Sequence, residues 1–165
     1  MIILIGGFIL KLRMNRMSIA RDIMSKKLVT LDSTVSAAEV AKIMDKNNVS
    51  CIVLTKDDKS QGIVTERDLL SKVIVANKKS SELMAREIMT SPVTAVSSLT
   101  PVDEIAQKMI NKKIRRVVVV DNGQPLGIIT VTDFVKHLNT ILSSSDTSKT
   151  ELYQNLIDEY EHWDN

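Results

Sequence analysis

Cysteine, histidine and aromatic residues are scarce in this chain of 165 residues. The single cysteine, Cys51, excludes a disulfide framework and a cysteine-built zinc site. It fits a reducing compartment, and a cytoplasmic location is expected. The two histidines, His137 and His162, leave little from which to build a histidine metal cluster. The only aromatics are Phe8, Phe134, Tyr153, Tyr160 and Trp163, and none lies between positions 9 and 133. Any core formed there is aliphatic, and no aromatic platform is available for base stacking. With a net charge of +2, nucleic acid is not an expected partner.

Long apolar runs are also missing. Residues 2–10 are the longest near the N-terminus, nine residues against the ~20 of a membrane-spanning helix, so a membrane is not expected either. Lys11, Arg13 and Arg16 follow this run, the reverse of a signal peptide. Residues 1–17 are read as an N-terminal extension, with Met14 or Met17 as alternative starts. No P-loop, no GxGxxG and no Ser/His/Asp or Cys/His set stands out, so an enzyme is not expected. At 44% hydrophobic and 25% charged, the chain has globular composition.

What the chain does contain is a repeat at a constant offset of 65 residues. Asp22-Ile23-Met24 matches Glu87-Ile88-Met89, and Glu39-Val40-Ala41 matches Glu104-Ile105-Ala106. Gly62-Ile63-Val64-Thr65-Glu66-Arg67-Asp68 matches Gly127-Ile128-Ile129-Thr130-Val131-Thr132-Asp133. Residues 22–70 align with 87–135 without a gap, with eleven identities. Each unit starts with a short apolar strand (28–31; 93–96). A helix follows, with Ala37, Val40, Ala41 and Met44, or Val102, Ile105, Ala106 and Met109, on one face. Thr100-Pro101 reads as its start, a capping hydroxyl followed by proline at the first helical position. The runs 52–54 and 117–120 suit strands buried on both faces. Asn122-Gly123 signals a hairpin. A strand ends at Thr65 or Thr130, and a last helix runs to about Ala76 or Leu142. The order is β-α-β-β-α, twice, an α+β plan (α/β in the wider sense). A unit of ~50 residues buries too little surface to be robust alone, so two are expected to share a core.

The recurring Gly-Ile-(Val/Ile)-Thr-x-x-Asp sits at a strand-to-helix junction. Glycine allows close backbone approach, and the helix start offers unpaired N–H groups and a positive dipole end, an anion site. The carboxylate of Asp68 or Asp133 can accept from both hydroxyls of a ribose. Thr-x-x-Asp is also a capping box, needing no ligand, and on the motif alone capping is the stronger reading. The two roles are compatible. Cys51 reads as an inert core thiol and His137 as a surface residue.

These duplicated elements resemble a tandem pair of cystathionine-β-synthase-type (CBS) domains, a Bateman module, over about residues 18–142. The resemblance implies two repeats, 18–79 and 80–142, packed sheet to sheet about a pseudo-two-fold axis. It implies a regulatory module that senses an adenine nucleotide (AMP, ADP, ATP or S-adenosylmethionine) between the repeats, with no catalytic cofactor. Thr65 and Asp68, and Thr130 and Asp133, would hold ribose and phosphate, with Arg67 and Thr132 beside them. Val29-Thr30 and Val93-Thr94 would line the adenine pocket. Arg115-Arg116 would reach phosphate. The first repeat has Ser50-Cys51 there, so the cleft nearer the arginines is expected to take the phosphorylated ligand. The resemblance also implies a homodimer, and output through a partner protein that is regulated. A purely structural interaction module, or a nucleic-acid binder using the basic N-terminal segment, are the other readings.

Residues 143–150 read as a polar linker. Residues 151–165 read as an acidic amphipathic helix, with Leu152, Leu156, Ile157, Tyr160 and Trp163 at helical spacing. An isolated helix of this length is marginal in water, so it is expected to dock on the module or on a partner subunit.

Overall fold

A computed structural model describes residues 2–5, 8–11, 18–141 and 147–162. Strands β1 (Ile2–Ile5) and β2 (Phe8–Lys11) form an antiparallel pair. The first repeat contains α1 (Ala20–Ile23), β3 (Thr30–Asp32), α2 (Ala37–Asn47), β4 (Cys51–Lys56), β5 (Lys59–Thr65) and α3 (Glu66–Leu69). Helix α3 runs on as a π-helical stretch, Leu70–Val75. The second repeat contains α4 (Ala85–Ile88), β6 (Ala95–Ser97), α5 (Val102–Lys112), β7 (Arg116–Asp121), β8 (Gln124–Thr130) and α6 (Val131–Ile141), and α7 (Thr147–His162) follows. The fold is α+β. Two three-stranded sheets, β3-β4-β5 and β6-β7-β8, each combine one parallel and one antiparallel pair.

The sheets pack on each other through Val53, Ile63, Val118 and Ile128, so the middle strands are buried on both faces. Ile52 and Leu54, and Val117 and Val119, point the other way into two helix-covered cores. The hairpin β7–β8 turns on Asn122 and Gly123, both at positive φ, as the Asn-Gly signal requires. Its counterpart β4–β5 turns on Asp57 and Asp58 in the same left-handed region.

The opening strands begin later than the sequence suggests, at Thr30 and Ala95. The residues just before them face clefts. Proline is also placed differently from the reading of Thr100-Pro101. Pro101 itself is the N-cap of α5, with no side-chain cap bond, while the Thr100 carbonyl accepts from the Ala20 N–H. The extended ψ of 141° at Pro101 is open to proline but places it outside the helix. Helix α7 starts at Thr147, so part of the expected linker is helical; hydroxyl-bearing residues suit a helix start.

The duplicated Asp/Glu-Ile-Met turns out to be a short helix with a carboxylate cap. Asp22 accepts from the Ile19 N–H at 3.0 Å, and Glu87 from the Met84 N–H at 2.8 Å. These helices cross over. Ala20 and Ile23 of the first repeat lie in the second repeat's core, and Ala85 and Ile88 of the second lie in the first's. The crossing chains bridge to the last strands, Ser25 to Ile128 and Thr90 to Ile63. Each repeat thus completes the other.

This crossing explains the glycine of the duplicated motif. A Cβ at Gly127 would lie 2.7 Å from the Ser25 carbonyl oxygen and 2.9 Å from Met24 Sδ; one at Gly62 would meet Met89 Sδ and the Thr90 carbonyl. The close approach is by the other repeat's backbone rather than by a ligand. Gly127→Ala is expected to cost about 1–3 kcal/mol, because the crowding atom is backbone and cannot yield cheaply. A urea midpoint lowered at unchanged slope checks this; an unchanged midpoint contradicts it.

Candidate functional site

Two related clefts flank the sheet–sheet contact, of about 390 and 400 Å³. The first, cleft 1, is built on the β8–α6 junction. Thr130, Thr132, Asp133 and Lys136 form one wall; Lys27, Leu28 and Val29 of the crossing chain face them. Asn48, Ser50 and Cys51 of the first repeat and Tyr160 of α7 complete the lining. Cleft 2 repeats the plan on β5–α3, with Thr65, Glu66, Arg67 and Asp68 opposite Pro92, Val93 and Thr94.

The Thr/Asp pairs cap their helices. In cleft 2, Asp68 Oδ2 accepts from the Thr65 N–H (2.9 Å) and hydroxyl (2.7 Å), and the Thr65 hydroxyl accepts from the Asp68 N–H at 3.2 Å. In cleft 1, Asp133 Oδ2 accepts from the Thr130 N–H (2.8 Å) and hydroxyl (2.6 Å). Both carboxylates are buried. Capping therefore uses one carboxylate oxygen of each pair, and the clefts differ in the other. Asp68 Oδ1 is held at 2.7 Å by Lys72, whose ammonium also donates to the Ile88 carbonyl at 2.6 Å. Asp133 Oδ1 has Lys136 only at 4.0 Å. Asp133 thus presents the more available acceptor.

Arg115 and Arg116 line both clefts, so the arginine pair does not separate them as the sequence suggested. The pair lies where the chain enters β7, Arg116 being its first residue. Arg116 reaches across to Ser50 of the first repeat, with Nη1 at 3.4 Å from both its carbonyl and hydroxyl oxygens. Arg115 lies over the Tyr160 ring, 5.1 Å from its centroid. Cleft 1 combines Lys27, Arg115, Arg116 and Lys136 with one carboxylate. Cleft 2 has Arg67, Lys113 and the same arginines against Glu66 and Asp68. Both favour anions, cleft 1 more strongly.

Among the sequence-predicted residues, Val29, Thr130, Thr132 and Asp133 meet in cleft 1, and Thr65, Arg67, Asp68, Val93 and Thr94 in cleft 2. Thr30 does not line cleft 1; it lies in β3, paired with Val53 and exposed. The 65-residue offset pairs Val93-Thr94 with Leu28-Val29, and Leu28-Val29 do line the cleft. A one-residue slip along an extended chain turns the side chain to the other face. Cys51 is half-buried, packed against the cluster between the sheets as expected of a core thiol and also lining cleft 1. Sequence reasoning did not assign Lys27, Lys136 or Tyr160 to a cleft. The first two carried a signal in their charge near the motif; Tyr160 was expected to help dock the C-terminal helix, but only folding brings that helix to cleft 1.

The model of the CBS domain matches residues 20–75 and again 85–140. The chain belongs to the CBS-domain family. An uncharacterized protein of Methanopyrus kandleri is 35% identical over 117 residues, 70% of this chain and 60% of that protein. The L-aspartate semialdehyde sulfurtransferase of Methanocaldococcus jannaschii is 36% identical over 118 residues, 70% of this chain but only 22% of the enzyme. A CBS domain pair solved with 5'-methylthioadenosine and S-adenosyl-L-methionine superposes with a TM-score of 0.66 at 34% identity, covering 75% of this chain and 98% of that one. A CBS domain protein of Pyrobaculum aerophilum complexed with AMP gives 0.68 at 29% identity, covering 77% and 100%. As a CBS pair, the chain is a tandem repeat, and two of its structural relatives are solved with adenosyl ligands. Among the described residues no helix is long and apolar enough to cross a membrane, and no three metal-ligating side chains cluster.

Proposed function

We propose that this CBS pair is a non-enzymatic regulatory module that senses an adenine nucleotide, with cleft 1 the principal site. The observation that carries this is the carboxylate of Asp133. One oxygen is spent on capping and the other lies beside a cleft with four cationic side chains. Ribose hydroxyls donate to Asp133 Oδ1, the first-turn N–H groups of α6 beyond Val131 join Arg115, Arg116 and Lys136 in receiving phosphate, and the base lies along Leu28 and Val29; the Thr130 and Val131 N–H groups are already taken by Asp133 and the Arg115 carbonyl. The adenosyl ligands in the structures of similar CBS pairs support the class of ligand. Cleft 2 binds more weakly, because Lys72 already occupies the second oxygen of Asp68.

The module works in the cytoplasm and signals through a partner protein or through self-association. Leu70, Ile74 and Val75 after α3, and Val135 on α6, are large apolar side chains left exposed on the last helices of the two repeats. A homodimer covering them is the expected assembly.

AMP, ADP, ATP and S-adenosylmethionine are the panel to test. A ligand at ~100 times its dissociation constant adds about 2.7 kcal/mol, which raises the melting temperature by about 5–10 °C for a chain of this size. No shift with any of the four at millimolar concentration favours the ligand-free interaction module. Arg116→Ala is expected to weaken AMP or ATP by about tenfold or more, through loss of a charge-assisted hydrogen bond, and to spare adenosine. Equal weakening of all three would assign Arg116 to packing instead.

A further inference from the structure

Helix α7 has no counterpart in the first repeat, and it makes one of two otherwise similar clefts different. It packs on α5 and α6. Tyr153 and Leu156 are fully buried in the second core, with Tyr153 5.8 Å from the Phe134 ring. Asp103 at the start of α5 fixes the helix from outside, accepting from the Tyr153 hydroxyl and pairing with Lys149 at 2.9 Å. One helical turn beyond Leu156, Tyr160 is placed as a wall of cleft 1 with its ring over the Arg115 guanidinium.

We propose that Tyr160 closes cleft 1 and sets its nucleotide affinity, and that α7 is the element that reads whether the cleft is occupied. This rests on the reading of cleft 1 as an adenosyl-phosphate site. Arg115 is shared by ligand and helix. A phosphate on its guanidinium fixes the cation that the Tyr160 ring covers, and the ring holds that cation ready for the phosphate. Ligand binding and α7 docking then strengthen each other by the same factor, as linkage requires. Cleft 2 is not lined by Tyr160, so the duplicated module holds one reporting site and one plain site. The partner that receives the signal would read the position of α7.

The sole cysteine supplies the probe, because Cys51 lines cleft 1 and not cleft 2. The full chain is labelled with a maleimide, with and without AMP or ATP. Tyr160→Ala is expected to label severalfold faster than wild type without nucleotide. The nucleotide concentration that half-protects Cys51 should rise by at most about thirtyfold, the full worth of a partly desolvated cation–π contact, because the ring already covers Arg115 without ligand and only the gain on binding counts. Tyr160→Phe keeps the ring and should match wild type. Leu156→Ala loosens α7 from the core and should reproduce both effects of Tyr160→Ala. Equal labelling and equal protection in wild type and Tyr160→Ala would overturn the proposal. If no nucleotide protects Cys51 in the wild type, the ligand reading fails by itself. The ligand-free rates still decide whether Tyr160 closes the cleft.

Discussion

Val118→Asp is expected to leave no folded protein at neutral pH. Val118 has no solvent exposure and sits at the centre of the contact between the sheets, against Val53, Ile63 and Ile128. An ionised carboxylate there has no donor within the apolar cluster, and an unpaired buried charge costs several kcal/mol even after the structure relaxes. Total stability of a domain is about 5–15 kcal/mol, and neither repeat can retreat to independence. Each depends on the other's crossing helix, α1 in the second core and α4 in the first. Loss of the central contact therefore unfolds both repeats together. Val118→Ala removes only volume and should fold with a lowered midpoint. Circular dichroism and size-exclusion of the two variants decide this. A Val118→Asp protein melting within a few degrees of wild type would show that the sheets are not the shared core.

Asp133→Ala is expected to lower nucleotide affinity by about a hundredfold or more. Two ribose hydroxyls donating to a carboxylate are worth ~1.5–3 kcal/mol each, and the lost side chain takes both. The fold pays less. The same carboxylate accepts from the Thr130 N–H and hydroxyl, and loss of a helix cap costs ~1 kcal/mol. The two effects separate on one protein by titration and by urea unfolding. Asp68→Ala is the control: Lys72 already holds its Oδ1 at 2.7 Å, so affinity should fall far less. Equal losses from the two substitutions would mean that the clefts are equivalent and that Lys72 gives way to ligand.

The duplication itself was fully legible in the sequence. Eleven identities at a fixed offset, apolar positions at helical spacing and β-branched runs place α2, α5, β4 and β7 where they occur, because local periodicity reports which face is buried. The Thr-x-x-Asp pairs were legible for a related reason. Capping is a contact over three residues, and it is made at both junctions.

Features fixed by long-range contacts were not legible. That α1 and α4 exchange cores cannot be read from either copy alone, since the exchanged sequences are nearly the same: Asp22-Ile23-Met24 against Glu87-Ile88-Met89. The tight space at Gly62 and Gly127 follows from that exchange, so the sequence suggested ligand approach where the crossing chain is the neighbour. The arginine pair looked like the mark of one cleft because it occurs in one repeat. Folding places it on the lining of both. The expected docking of the C-terminal helix is met through Tyr153 and Leu156; Trp163, also expected to take part, lies outside the described residues.

The most direct test of the central claim is calorimetric titration of the full chain with AMP, ADP, ATP and S-adenosylmethionine in turn. The proposed function predicts saturable heat with at least one of them, in a principal binding event that Asp133→Ala abolishes and Asp68→Ala leaves in place. No heat from any of the four at millimolar concentration, with the protein folded, would contradict it.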